Sequence, residues 1–303
     1  MDARRLDVFA TVARESSFSR AAEILHLSQP AVSQLVASLE AELGVRLFDR
    51  SRRGVRLTPA GRALAGHAER LLRDMDDARR AVAEAAGAIT GSLRVGASQT
   101  VGHYVLPAVM AEFARLYPAV TVRVGVQNTE RVAALLLAGE VDVGFVEGHV
   151  GLPGIVVRPF ARDELVVIAH PGHPWARRAQ VRLEHLVAEP IVLREPGSGT
   201  RQVTEESLRR AGIDPESLTV VMELAGAEAI KTAVEAGVGV AVVSRATVAK
   251  ELRLKTLVAR PVRGMAMPRD LVSAVVAGRV LHPAARALLD RVYRMPDETG
   301  SLT

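Results

Sequence analysis

The chain has 303 residues, of which 49% are hydrophobic, 24% charged and 3% aromatic, and its formal net charge is +5. This composition is typical of folded globular domains and excludes a disordered or collagen-like chain, while the length favours two domains over one. The absence of cysteine excludes thiolate nucleophiles, thiolate zinc sites and iron–sulfur clusters. With no apolar run of about 18 residues and charges near its start, we expect a cytoplasmic protein without a membrane span or secretory leader.

Three short helices are predicted in the first 45 residues. Apolar residues at positions 6, 9, 12 and 13 give the first helix one buried face. Ser19 is the expected N-cap of the second helix and Ser28 that of the third. Pro30 suits the first turn of the third helix because its missing amide would have no partner there. The expected buried stripe of the third helix is Val32, Leu35, Val36, Leu39 and Leu43.

The opposite face of the third helix is uncharged and rich in small, amide and hydroxyl side chains. Its members are Gln29, Pro30, Ser33, Gln34, Ala37 and Ser38. An ordinary solvated face, which is the alternative interpretation, normally carries Lys and Glu pairs. A helix that enters the major groove of DNA needs small residues for close approach and amides or hydroxyls for base edges.

A basic hairpin is predicted directly after the third helix. Residues 46–62 contain six Arg against Asp49 alone, a local charge of +5. Val45, Leu47 and Phe48 are expected to anchor two short extended pieces around a turn that ends at Gly54. Such a wing can lie on phosphates beside the third helix.

Seven stretches of this region together resemble the LysR-type transcriptional regulators: LDVF at 6–9, SFSRAA at 17–22, LSQPAVS at 27–33, LE at 39–40, LG at 43–44, LFDR at 47–50 and LTPAG at 57–61. The resemblance implies a winged helix-turn-helix, a long linker helix and a C-terminal effector-binding domain, assembled as a homodimer or homotetramer on double-stranded promoter DNA. RNA polymerase is a further partner that it suggests. The predicted DNA-binding residues are Ser19, Arg20, Ser28, Gln29, Pro30, Ala31, Ser33, Gln34, Ser38, Arg50, Arg52 and Arg53.

A long helix is predicted from Thr58 and Pro59 onward, since a Thr N-cap followed by Pro is a preferred helix entry. Its apolar residues alternate at spacings of four and three: Leu64, Ala68, Leu71, Met75, Ala78, Val82 and Ala85. This repeat is typical of a coiled-coil seam, and the alternative is a helix buried in one domain. We expect a DNA-binding domain at 1–58 and a dimerisation helix with a hinge at 59–90.

From residue 91 onward, short β-type runs alternate with helical ones, which predicts an α/β domain of mainly parallel sheets. The expected strands are 93–97, 120–126, 141–147, 164–169, 191–194, 218–224, 238–243 and 271–277. The expected helices are 101–117, 130–138, 200–211, 228–236 and 283–294. The segment 91–303 is similar to two-lobed periplasmic-binding proteins of type 2, with lobes of about 91–162 plus 268–297 and about 163–267. The chain would cross between lobes near 161–163 and 266–269.

Two polar loops follow predicted strands and open helices, one in each lobe. They consist of Ser98, Gln99 and Thr100 in the first lobe and Ser198, Gly199, Thr200 and Arg201 in the second. Helix N-termini favour anions, and ligands of such folds lie beyond the carboxyl ends of strands, so the loops predict an anionic effector in an interlobe cleft. Arg201 would pair with a carboxylate or phosphate. The alternative is that these hydroxyls are ordinary N-caps.

Three more residues of the first lobe follow strands. Asn128 and Thr129 come after the second strand and are weaker candidates for effector binding. Glu147, after the third strand, departs from a purely anionic site. It would meet an amine, hydrogen-bond a backbone turn or point away from the cleft.

Two other classes of protein remain as alternatives. A secreted solute-binding protein would explain the last 200 residues but not the first 90. An enzyme has little support, because the histidines at 103, 149, 170, 173 and 282 lack the helical spacing of zinc ligands. Gly237 and Gly239 are also too few for a dinucleotide fingerprint. We therefore expect no catalytic residue, no metal and no cofactor.

Overall fold

The computed structural model describes residues 1–51, 54–85, 89–148, 151 and 153–294. The chain divides into two compact units, Met1–Gly87 and Ala88–Thr303. The first unit contains α1 (Ala3–Glu15), α2 (Phe18–Ile24), α3 (Gln29–Leu43), β1 (Phe48–Ser51), β2 (Gly54–Leu57) and α4 (Pro59–Ala85).

Side-chain caps begin the first three helices. Ser28 Oγ accepts a hydrogen bond from the Ala31 amide at 3.4 Å, as predicted for the start of α3. The expectation that Ser19 caps α2 is wrong. Ser17 has the extended backbone of an N-cap and its Oγ accepts from the Arg20 amide at 3.3 Å, so the helix begins two residues earlier.

The core of the first unit joins the helices to the hairpin. The ring of Phe48 on β1 lies 5.3 Å from the ring of Phe9 and 5.6 Å from that of Phe18, centroid to centroid. The prediction that Leu43 and Val45 are buried is wrong, because they are 39% and 48% exposed. The left-handed conformation of Gly44, at φ 70°, ends α3 and turns this segment away from the core.

The hairpin and the long helix follow the predicted order. Strands β1 and β2 pair antiparallel from Phe48 opposite Leu57 to Ser51 opposite Gly54. The predicted DNA-binding residues Arg52 and Arg53 lie outside the described residues. Thr58 Oγ1 accepts from the Gly61 amide at 3.0 Å and so caps α4. Along the predicted seam Ala68 is buried, whereas Leu71 and Met75 are 43% and 40% exposed, which leaves apolar surface on α4.

The second unit alternates strands and helices. Its first lobe and the strands that leave it contain β3 (Gly91–Ser98), a π-helical turn (Val101–Val105), α5 (Leu106–Leu116), β4 (Val120–Gln127), α6 (Thr129–Leu137), β5 (Val143–Glu147) and β6 (Ile155–Ala169). There follow β7 (Val181–Arg182), α7 (Leu183–Ala188), β8 (Ile191–Arg194), α8 (Gly199–Arg210), β9 (Val220–Leu224), α9 (Ala227–Glu235), β10 (Ala241–Ser244), α10 (Ala249–Leu254), β11 (Val258–Arg260), β12 (Val262–Arg263), β13 (Pro268–Val276) and α11 (Pro283–Tyr293).

Two long strands connect the lobes. The sheet order is β10, β6, β13, β5, β3, β4, with β11 also paired to β6. Strand β6 pairs with β13 up to Glu164 and with β10 and β11 from Leu165 onward, so it exchanges partners at this point. The expectation of mainly parallel sheets is wrong for these strands: β3 is parallel to β4 and β5, but β13 is antiparallel to β5 and β6.

Each lobe has its own apolar core. Leu93, Phe113 and Phe145 are buried in the first lobe, and Trp175 and Ile191 in the second. The sequence did not predict α7 and α10, which have six residues each and are too short for a helical repeat to be recognised.

Candidate functional site

The predicted DNA-binding residues lie on α2, α3 and the hairpin. Ser19, Arg20, Gln29, Pro30, Gln34 and Ser38 are exposed, and Ala31 and Ser33 are partly exposed. Some of these side chains already bond within the unit: Gln29 Nε2 donates to Ser33 Oγ at 3.4 Å, and Ser38 Oγ accepts from Arg5 Nη1 at 3.3 Å. Arg50 lies on β1, and the exposed Arg56 lies on β2.

Arg269 on β13 lies buried between the lobes and contacts both. Its Nη2 donates to Thr100 Oγ1 of the first lobe at 3.2 Å, and its Nη1 donates to Thr200 Oγ1 of the second at 3.0 Å. Its Nε donates to Asp163 Oδ2 at 2.8 Å, and Asp163 also accepts from Ser244 Oγ at 2.8 Å. One guanidinium therefore joins two of the four hydroxyls that the sequence selected, one from each lobe. We call Thr100, Asp163, Thr200, Ser244 and Arg269 the arginine cluster.

Glu147 lies beside the arginine cluster. Ser98 Oγ donates to its Oε2, and its Oε1 lies 3.7 Å from Arg269 Nη1. The sequence allowed three roles for Glu147. The prediction that it points away from the cleft is wrong, because its side chain is buried next to the guanidinium of Arg269. Thr129 Oγ1 donates to the Glu147 carbonyl at 2.9 Å and so holds the end of β5.

The start of α8 packs closely against the end of β5. A Cβ at Gly199 would lie 2.2 Å from the Glu147 carbonyl oxygen, so only glycine is accommodated there. Asn128 caps α6 through the Arg131 amide at 2.9 Å and donates from Nδ2 to the Pro196 carbonyl at 3.2 Å. The loop of one lobe thus bonds directly to the loop of the other.

The remaining predicted residues have structural partners. Arg201 is ion-paired within its own lobe to Glu205 at 2.7 Å and Glu223 at 2.6 Å, so pairing with an effector would require it to leave these carboxylates. Ser198 caps α8. Gln99 lies against Gly226: a Cβ added at Gly226 would lie 2.8 Å from Gln99 Oε1.

An open groove of about 660 Å³ leads to Arg269 from one side of the second unit. Its apolar lining includes Val157 and Pro159 of β6, Val272 of β13 and Val203 of α8. The groove therefore touches elements of both lobes next to the arginine cluster.

Sequence reasoning missed Arg269, Asp163 and Ser244. The only signal was a lone charged pair, Arg269 and Asp270, at the start of an apolar strand where the chain was expected to cross between lobes. It also missed Tyr104, which follows the first loop and bonds to Glu228 and Lys231 of the other lobe.

Within the described residues, no helix is long and apolar enough to cross a membrane, and no cluster of three His, Asp or Glu side chains could hold a metal ion. A winged helix-turn-helix and a two-lobed α/β domain with a polar cluster between its lobes define a DNA-binding regulator with an effector domain.

Comparisons with known proteins agree with this class. The family described as "Bacterial regulatory helix-turn-helix protein, lysR family" matches residues 3–62, and the "LysR substrate binding domain" matches residues 86–295. A probable RuBisCO transcriptional regulator of Cyanidioschyzon merolae is 36% identical over 284 residues, which cover 93% of this chain and 94% of that relative.

Two solved structures resemble this chain, one along almost its whole length and one over the effector-binding domain. Full-length CbnR, in complex with its target DNA, has a TM-score of 0.73 at 25% identity and covers 97% of this chain and 99% of its own. The regulatory domain of CcmR from Synechocystis PCC6803, in complex with 2-PG, has a TM-score of 0.62 at 29% identity. The match covers 67% of this chain and 96% of the CcmR chain. The chain belongs to the LysR family of bacterial transcriptional regulators, with a DNA-binding helix-turn-helix unit and an effector-binding domain.

Proposed function

We propose that this regulator senses a small anionic effector in the cleft between its lobes, at Thr100, Thr200 and Arg269. The observation that carries the proposal is the buried guanidinium that contacts a hydroxyl of each lobe. Both hydroxyls accept from Arg269 and keep their own protons to donate. An anion bound there would touch both lobes, and its unequal affinity for their closed and separated arrangements would change the DNA-binding state.

The first unit would bind double-stranded promoter DNA. Gln34 and its neighbours on α3 would read base edges, while arginines of the hairpin would contact phosphates. The similarity to CbnR, which has been solved with its target DNA, supports this assignment. The apolar residues Leu71 and Met75 of α4 would pair with a second copy in a homodimer or homotetramer, and the protein would act in the cytoplasm as a regulator without a catalytic step.

Thermal unfolding of the full-length chain tests the effector site. A panel of phosphates, carboxylates, sulfur anions and amines is added, and a ligand at a hundredfold excess over Kd stabilises the protein by about 2.7 kcal/mol. Thr100→Ala combined with Thr200→Ala should remove this shift. Thr232→Ala, which changes an exposed hydroxyl of α9, should retain it. Stabilisation by amines alone, lost in Glu147→Gln, would overturn the anion site.

A further inference from the structure

The side chain of Glu147 is buried in the cleft, and its two carboxylate oxygens have different partners. The side chain is 2% exposed, and Ser98 Oγ donates to Oε2. Among the described residues no hydrogen bond reaches Oε1, whose neighbouring cation, Arg269 Nη1, lies at 3.7 Å. A carboxylate can accept about four hydrogen bonds, so Oε1, which makes only this longer ion-pair contact, can accept a hydrogen bond from a ligand in the cleft.

Acidic side chains outnumber basic ones around this oxygen. Arg269 is already paired to Asp163, with Nη2 2.6 Å from Oδ2. Glu147 is therefore a second carboxylate that shares the same guanidinium. In a buried site of low dielectric, a further anion that faces Glu147 directly would be strongly repelled.

The position of the carboxylate is held by the packing of the two loops. Thr129 Oγ1 bonds to the Glu147 carbonyl, and a Cβ at Gly199 would lie 2.9 Å from Glu147 Cγ. The start of α8 thus blocks one direction in which the side chain could turn. A ligand that enters beside Arg269 therefore meets the Glu147 carboxylate at its edge.

We propose that Glu147 selects anions that bring their own hydrogen-bond donor, with the protonated phosphate group as the matching chemistry, and excludes fully deprotonated sulfate. The phosphate P–OH donates to Glu147 Oε1, while its other oxygens accept from Arg269 and from the hydroxyls of Thr100 and Thr200. Sulfate has the same tetrahedral shape but no proton to donate, so its oxygen would face the carboxylate oxygen. The inference rests on the proposed anion site and makes Glu147 its specificity-determining residue.

Equilibrium dialysis of the full-length protein at pH 7 with radiolabelled inorganic phosphate or sulfate tests the proposal. The wild type should bind phosphate at least tenfold more tightly than sulfate. In Glu147→Gln the amide can donate to either anion, so the preference should fall below threefold, mainly through tighter sulfate binding. The matched control Glu164→Gln changes an exposed carboxylate of β6 and should keep the wild-type preference.

The outcomes separate this inference from the proposed function. Equal binding of the two anions by the wild type overturns the role of Glu147 and leaves the anion site standing. Binding of neither anion also overturns the role of Glu147, and the thermal unfolding panel then decides whether the anion site stands. Circular dichroism shows whether Glu147→Gln is folded, and if it is not, the wild-type ratio decides.

Discussion

Lys231 Nζ on α9 lies 3.2 Å from Tyr104 Oη, so a side chain of each lobe meets the other outside the arginine cluster. Lys231 also contacts Glu251 Oε1 and the Thr247 carbonyl, both at 2.9 Å, and Tyr104 bonds to Glu228. Burial by itself lowers the pKa of Lys231, but Glu228 and Glu251 more than offset this and hold the pKa above its usual range. The charged lysine therefore provides a fixed partner for the tyrosine of the opposite lobe.

Removal of this contact should favour separated lobes. Tyr104→Phe keeps the ring but loses the hydroxyl that bonds to Lys231 and Glu228. We expect faster hydrogen exchange of the amides in the loops 98–100 and 198–201, measured by mass spectrometry on the full chain. Tyr117→Phe, a change within the first lobe, should leave these rates unaltered. Unchanged exchange in Tyr104→Phe would mean that other contacts hold the lobes together.

The first unit should divide base reading from phosphate binding. Gln34→Ala should weaken binding to the cognate site by about 1–3 kcal/mol and relax base preference, because an exposed amide of α3 is lost. Arg56→Ala on β2 should weaken binding to all DNA sequences alike. It should also reduce the slope of the logarithm of the binding constant against the logarithm of the salt concentration by about 1. Titrations of cognate and random duplexes at several salt concentrations give both quantities. Equal losses on both duplexes for Gln34→Ala would contradict its role.

The long helix α4 should hold the dimer. Leu71→Asp combined with Met75→Asp places charges in the predicted seam, where association would bury them without partners. Sedimentation velocity should show monomers, and operator affinity should fall. The control pair His67→Asp and Arg70→Asp changes exposed polar positions of the same helix and should leave the oligomer intact. An unaltered oligomer in the seam variant would argue against the coiled coil.

Asp142 should make the second unit sensitive to acid. Its carboxylate accepts from the Arg94 amide at 2.8 Å and from Arg94 Nη2 at 2.6 Å, and lies 3.5 Å from His282 Nε2. Burial by itself raises the pKa of Asp142, but the nearby His282 imidazole and the hydrogen bonds from Arg94 outweigh burial and hold the pKa well below its usual range. A lowered pKa in the folded state stabilises the fold above the unfolded pKa of about 3.9 and loses this effect as the pH falls toward the folded value.

Asp142→Asn should therefore lower the free energy of unfolding by about 1–3 kcal/mol at neutral pH. The difference from the wild type should shrink below about pH 4, where the wild-type advantage is lost. Urea unfolding followed by the fluorescence of Trp175, the single tryptophan, measures both. Asp290→Asn on the exposed side of α11 serves as the control. A difference that stays constant down to pH 3 would show that charge is not the cause.

Local signals were sufficient for much of the fold. The N-caps at Ser28 and Thr58, the helical repeat of α4 and most strand positions follow from neighbouring residues, because capping and periodicity act over a few positions. Errors arose where distant contacts compete with local preference. Strand β6 begins at Ile155 rather than 164, because its first half is held by pairing with β13, more than a hundred residues away.

The sequence by itself determined the family, the hydroxyls at 98, 100, 198 and 200, and the presence of an acidic residue at the end of β5. Only the tertiary structure decided how these groups meet. Arg269 lies 106 residues from Asp163, 169 from Thr100 and 69 from Thr200 along the chain, and antiparallel pairing of β6 with β13 brings it between the lobes. No local pattern encodes such a contact, because it depends on which strands become neighbours when both lobes bury their apolar faces.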